Sequence, residues 1–233
     1  VLKGPNYFKP NIAKILKETN LKPASHLTCV GSDKEEINEI VKKYWQMGVR
    51  HIVALRGDLP EGYVHPENSY DTAYELVKGL KDIADFEISV SAYPEKHPKS
   101  ANWQVEIDNL KRKIDAGATR AISQYFFDCD LYFDFMDRLA KENINIPVVP
   151  GILPIVNFAQ TVKFSKACGT SIPNWLTDLF TTDEQNNNHL LAAYIAIEQC
   201  RILSNNGVKQ FHFYTLNRAE LVSTICHILG IRK

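Results

Sequence analysis

The 233-residue chain has no excess charge of either sign: 27 Lys and Arg stand against 27 Asp and Glu, a formal net charge of zero. No global basic field exists to collect nucleic acid or anionic lipid. Cysteine is scarce. The five, at 29, 129, 168, 200 and 226, are odd in number, widely spaced and without a Cys-x-x-Cys pair. That disfavours a zinc ribbon or a disulfide framework and reads as reduced cytoplasmic thiols. The seven histidines contain no His-Glu-x-x-His and no other close ligand pair, so no structural metal is expected. Apolar runs are short. Residues 147–158, among the longest, are broken by Pro154 and Asn157 and cannot span a bilayer. Repeats and low-complexity stretches are missing, as is a secretory-signal pattern behind Val1. What remains, 45% hydrophobic and 23% charged residues, is an ordinary globular composition long enough to bury its own core.

The chain alternates between two textures. Short β-branched and aromatic runs read as buried strands at 26–30, 50–55, 86–93, 121–127, 147–153 and 211–216. Amphipathic runs predict helices at 33–47, 70–83, 101–116, 131–142, 157–168, 190–204 and 218–229. Ser32 and Glu35 are spaced for a capping box at one helix start. Gly48, Gly117 and Gly207 follow helical runs, where a left-handed residue ends a helix. Strand, helix, Gly, strand is the rhythm of βαβ units on a parallel sheet. Six such strands suit either an open doubly wound sheet or part of a (β/α)8 TIM barrel. The open sheet usually carries Gly-x-Gly-x-x-Gly after a strand, and none occurs here. Polar chemistry instead sits at or just past the end of nearly every strand: Thr28, Arg56-Gly57-Asp58, Tyr93 to His97, Gln124, and Tyr214 to Arg218. Barrels gather their sites from many strand ends, which favours the barrel.

Several of these residues have both a chemical and a bland reading. Arg56-Gly57-Asp58 could be a surface ion pair, or a turn where Gly57 lets a ligand approach and Asp58 faces a cleft. The Tyr93–His97 segment, its path fixed by Pro94 and Pro98, could be a rigid loop or a cofactor-positioning one. Asn109, Arg112 and Lys113 share one helix side, either as a solvated face or as a diphosphate clamp. Gln124 lies inside an apolar run, where an amide needs partners that a ligand could supply. Phe164, four residues after Gln160, reads by base rates as core. Asn217 reads as a helix N-cap, which would put Arg218 in the first helical turn, where a cation is disfavoured unless an anion answers it.

Taken together, the stretches HLTC (26–29), RHIVALRGDLP (50–60), ISVSAYPEKHP (88–98), NLKRKIDAGATRAISQYFFD (109–128), VVPGILPIVNFAQTVKF (148–164) and GVKQFHFYTLNRAE (207–220) resemble the bacterial-type methylenetetrahydrofolate reductases. They run through almost the whole chain in one order. The resemblance implies a (β/α)8 barrel that holds FAD without a Rossmann motif, represented here by its strands 3 to 8 in one domain, residues 1–233. It implies flavin-dependent reduction of 5,10-methylenetetrahydrofolate to 5-methyltetrahydrofolate, with NADH or NADPH giving a hydride to FAD in a ping-pong sequence. It further implies a cytoplasmic homo-oligomer, dimer or tetramer, in one-carbon metabolism and methionine biosynthesis. The implied FAD contacts are His26, Arg56, Gly57, Asp58, Ala73, Tyr93, His97, Glu106, Asn109, Arg112 and Lys113. Asp58 would also stabilise the iminium cation of the opened folate. Gln124, Gln160, Phe164 and Arg218 would bind folate or nicotinamide, Phe164 as a stacking surface.

The chain departs from the family at three points. Thr72 stands just before Ala73, where a Tyr is common, and Glu106 stands where an Asp is common. The family's first two strands and its general-acid Glu have no counterpart in the sequence, so no general acid is assigned. A barrel short of two neighbouring strands would expose edges and core. Two more strands and the acid are therefore expected upstream of Val1. The alternative expectation is a catalytically incomplete fragment that binds FAD and folate without turnover. An aldolase-like lyase would need a Schiff-base lysine inside a strand, and none of the six carries one.

Overall fold

The computed structural model describes residues 9–59, 62–64, 66–182 and 188–231. Among them the helices are α1 (Lys9–Glu18), α2 (Lys34–Gln46), α3 (Ala73–Ile83), α4 (Trp103–Asp115), α5 (Cys129–Lys141), α6 (Phe158–Cys168), α7 (Asn174–Thr182), α8 (Asn188–Asn205) and α9 (Ala219–Ile228). The strands are β1 (Ala24–Thr28), β2 (His51–Leu55), β3 (Glu87–Ala92), β4 (Arg120–Tyr125), β5 (Val148–Ile152) and β6 (His212–Phe213). They lie in the sheet in chain order, β1 to β6. Ala24 pairs with His51, His51 with Glu87, and Gly151 with His212, each in a parallel ladder. A helix between parallel neighbours, strand after strand, is the α/β pattern of a (β/α)8 barrel, of which six strands are present.

All six strand expectations land on observed strands. The strand expected at 211–216 shortens to two residues. Gly48, Gly117 and Gly207 take φ of +94°, +117° and +91°, the left-handed turn that ends a helix before the next strand. Two helices, α1 and α7, were not anticipated. The capping box expected at Ser32 is corrected. Asp33 caps α2, its carboxylate accepting the Glu36 N–H at 2.8 Å, and Ser32 is buried instead. The box occurs on α3: Thr72 accepts from Glu75 N while the Glu75 carboxylate accepts from Thr72 N.

The chain divides into two compact units, residues 1–91 with 108–121, and residues 92–107 with 122–233. In the first, β1 alternates, burying Ser25 and Leu27 and leaving Ala24, His26 and Thr28 on the open face. Helix α2 buries Ile37, Ile40, Val41 and Tyr44, and α3 buries Leu76, Val77 and Leu80. Their i, i+3, i+4 spacing is the apolar stripe of a helix on a sheet. Gly79 makes room for Tyr70, since a Cβ there would stand 2.1 Å from the Tyr70 hydroxyl. The second unit has a core of Tyr125, Phe127, Leu153, Ile155 and Leu176, with Phe158 and Phe180 stacked at 4.9 Å beside it. No helix of the described residues is long and apolar enough to cross a membrane.

Candidate active site

In the first unit the backbone pairing of β1 and β2 runs on beyond the strands: Cys29 and Val30 donate to the carbonyls of Leu55 and Arg56 at 3.2 and 3.0 Å. This carries Arg56, Gly57 and Asp58 to the strand ends. Gly57 takes φ +89°, and a Cβ there would meet the Thr28 and Val30 side chains at 3.2 and 3.3 Å. Glycine is therefore required for conformation and for space. Asp58 is exposed, and Pro60 of the same motif lies outside the described residues. His26 keeps solvent contact on β1, yet its pKa falls below the ordinary 6.5 because burial disfavours the charged ring, with His51 adding to the effect.

Ala73 opens α3 immediately after the capping Thr72. The departure at 72 thus has a structural account: a hydroxyl there fastens the helix start. On α4, Arg112 is exposed and hydrogen-bonded to Asn109 Oδ1, while Lys113 Nζ donates to the Ser91 carbonyl at 2.7 Å. An amide thus stands one turn before a guanidinium and an ammonium.

In the second unit the Tyr93 and His97 rings meet edge to face at 4.7 Å. Lys99 N–H donates to His97 Nδ1 at 3.0 Å, which assigns the proton of the neutral ring to Nε2. Glu106 is buried. Its carboxylate accepts the His97 N–H at 3.1 Å and the Ser100 hydroxyl at 2.6 Å, so it fastens this loop to α4. Gln124 is half-buried on β4. Its Oε1 accepts the Tyr125 N–H at 3.0 Å, and it borders Tyr93, Pro94 and Thr170.

Gln160, Phe164 and Arg218 come together. With Asn157, Tyr214 and Leu216 they line one cleft of about 170 Å³. That is below the ~300–1,000 Å³ of a whole ligand pocket, so the cleft suits one flat end of a larger molecule. Asn157 caps α6 through Gln160 N–H at 2.9 Å, setting the helix start beneath the cleft. Phe164 is 40% exposed, which removes the core reading and leaves its ring face available. The expectation for Asn217 is corrected. Leu216 and Asn217 adopt φ +48° and +62°, delaying the helix by one residue, so Arg218 occupies the N-cap position of α9 and makes no side-chain cap bond. Its exposed guanidinium lines the cleft.

Tyr214, named in the sequence only within the strand-end segment and without a role of its own, lines the cleft. Tyr214 donates its hydroxyl to the Ser123 carbonyl at 3.0 Å, and its ring fills the space a side chain at Gly151 would take: a Cβ there would stand 2.7 Å from Tyr214 Cε2 and 2.4 Å from Ser123 O. Burial pushes the Tyr214 phenol well above its ordinary pKa, so it acts as a neutral wall. The isolated Gly151 in an apolar strand was the available signal, since a strand glycine marks close approach. Among the described residues no group of three or more His, Cys, Asp or Glu could hold a metal ion.

Residues 9–230 match the family model described as methylenetetrahydrofolate reductase. The 5,10-methylenetetrahydrofolate reductase of Pectobacterium carotovorum subsp. carotovorum is 48% identical over 225 residues, covering 95% of this chain and 74% of the relative. That of Escherichia coli (strain K12) is 48% identical over 225 residues, covering 95% and 75%. Among solved structures, an uncharacterized protein from Clostridium thermocellum that binds two copies of 5-methyl-5,6,7,8-tetrahydrofolic acid superimposes with a TM-score of 0.50 at 16% identity, covering 90% of this chain and 94% of that one. At that identity the likeness is one of fold.

Proposed function

The chain belongs to the methylenetetrahydrofolate reductase family, and on that premise we propose that it reduces 5,10-methylenetetrahydrofolate to 5-methyltetrahydrofolate at a FAD site, with NADH or NADPH as electron source. The observation that carries this reading is the cleft: Gln160 and Phe164 on one helix, and Arg218 more than fifty residues later, line one cavity sized for a flat ring. Phe164 offers a stacking face, Gln160 an amide for a ring edge, and Arg218 a cation for a carboxylate or phosphate.

FAD would supply the two-electron chemistry. The donor set of the first unit fits its diphosphate: Arg112 and Lys113 are cationic, Asn109 adds a polar amide, and the backbone at Gly57 carries no side chain. His26, Arg56, Ala73, Tyr93, His97 and Glu106 complete the proposed contacts, Glu106 by fixing the His97 loop. Asp58, an exposed carboxylate at the end of β2, would stabilise the cation formed when the methylene bridge opens. Gln124 would orient the same substrate by hydrogen bonding.

The test is made in two anaerobic half-reactions on protein supplied with FAD. NADH or NADPH should bleach the flavin absorbance, and methylenetetrahydrofolate should restore it with formation of 5-methyltetrahydrofolate. Protein that stays colourless in excess FAD would refute the flavin reading. Flavin that is bound but never bleached would refute turnover.

A further inference from the structure

Glu95 sits between Tyr93 and His97, and none of the roles above uses it. Both of its carboxylate oxygens accept the backbone N–H of Ser171, at 3.1 and 2.9 Å. Ser171 lies just past the C-terminal end of α6, the helix that carries Gln160 and Phe164. The same junction is closed by shape. Gly169 turns the chain out of α6 at φ +73°, and a Cβ there would stand 2.6 Å from Pro98 Cγ. Thr170 is buried and donates its hydroxyl to the Tyr125 carbonyl at 3.1 Å. Ser165, on the last turn of α6, shares a hydrogen bond with the Tyr125 hydroxyl at 3.2 Å. Two of these contacts seat the helix end on the end of β4. The Glu95 contact joins it by a side-chain hydrogen bond to the loop of Tyr93 and His97.

We propose that Glu95 is a positioning residue for the folate half of the reaction. Its carboxylate sets the spacing between the loop bearing Tyr93 and His97 and the helix bearing Gln160 and Phe164. The inference rests on the folate reading of the cleft. Reach, not charge, decides the effect: the acceptor must extend to Ser171 N. Displacement of a supporting element by about 1 Å is enough to cost large factors at a site built from several elements.

Three substitutions separate reach from charge. Glu95→Gln keeps reach and loses charge; Glu95→Asp keeps charge and loses reach; Glu95→Ala loses both. Tyr132→Phe is the control, because it deletes a buried tyrosine-to-carbonyl hydrogen bond, Tyr132 to Val148 at 2.9 Å, whose two residues do not line the cleft. Each full-length protein is titrated with 5-methyltetrahydrofolate by fluorescence, and its melting temperature is measured in parallel. The expected result is Kd near wild type for Glu95→Gln, roughly tenfold weaker for Glu95→Asp and Glu95→Ala, and unchanged for Tyr132→Phe despite a lower Tm. Glu95→Asp binding like wild type would overturn the proposal, and so would Glu95→Gln binding as weakly as Glu95→Ala. Wild-type protein that shows no saturable folate binding would instead overturn the folate reading itself, and the inference with it.

Discussion

Asp58 is exposed at the end of a strand whose preceding residues are buried, and that contrast defines its chemistry. A carboxylate near a developing cation acts only when the cation forms. Asp58→Asn should therefore slow folate reduction by about a hundredfold while changing flavin reduction by nicotinamide much less. Equal losses in rapid-mixing measurements of the two half-reactions would remove the role. The cysteines make a second residue-scale prediction. Burial pushes the Cys29 thiol up to about 11 and those of Cys129 and Cys200 to about 12, whereas Cys168 and Cys226 are only partly covered. A thiol reagent at pH 8 should label at most Cys168 and Cys226 in the native protein and all five after denaturation; fast native labelling of a third would contradict that burial. At this scale a polar group that interrupts or follows an apolar run, as at Gln124 and Asp58, is the signal by which the sequence puts a residue forward as a candidate. The sequence was least legible at Tyr214, whose place in the cleft depends on the absence of a side chain at Gly151, on another strand.

Helix ends carry the element-scale lesson. Gly48, Gly117 and Gly207 were readable because a left-handed residue after a helix has few substitutes. The cap of α2 falls on Asp33 and not on Ser32 because adjacent Ser and Asp both qualify as caps and tertiary packing chooses between them, whereas the cap at Thr72 had no reading in the sequence. Thr72→Ala removes one half of a reciprocal pair of bonds. It should cost about 1 kcal/mol, seen as a melting temperature lower by roughly 2–4 °C. No change would show that the box adds nothing to α3. Helix α7 follows Pro173, whose carbonyl accepts from Leu176 and Thr177, and a proline at a helix start was a signal not used. Past Phe213, Tyr214 N–H still donates to the Ile152 carbonyl at 2.9 Å, and the left-handed Leu216 and Asn217 then turn the chain away from β5, which is why the last strand is short.

Stability of the whole molecule should depend on pH through two histidines. His26 and His51 have pKa values below 6.5, in each case mainly from burial; at His51 the Glu87 carboxylate opposes the shift and Arg120 adds to it. Unfolded, both rings take a proton near 6.5, but folded they resist it. Their contribution is therefore complete above about pH 6.5 and is lost as pH falls below it. Melting temperature should drop between pH 7.5 and 5.5. His51→Gln should flatten that slope, and an unchanged slope would clear His51 of the effect. His51 also shares a 2.7 Å hydrogen bond with Ser89, which a glutamine can retain. The order of the sheet has a kinetic consequence. Parallel strands usually fold slowly, because each must wait for a distant partner. Here each strand's partner is its immediate predecessor in the chain, from Ala24 to His51 and from His51 to Glu87. As synthesis proceeds, each of β2 to β6 leaves the ribosome with its sheet neighbour already made, so the sheet can grow by accretion.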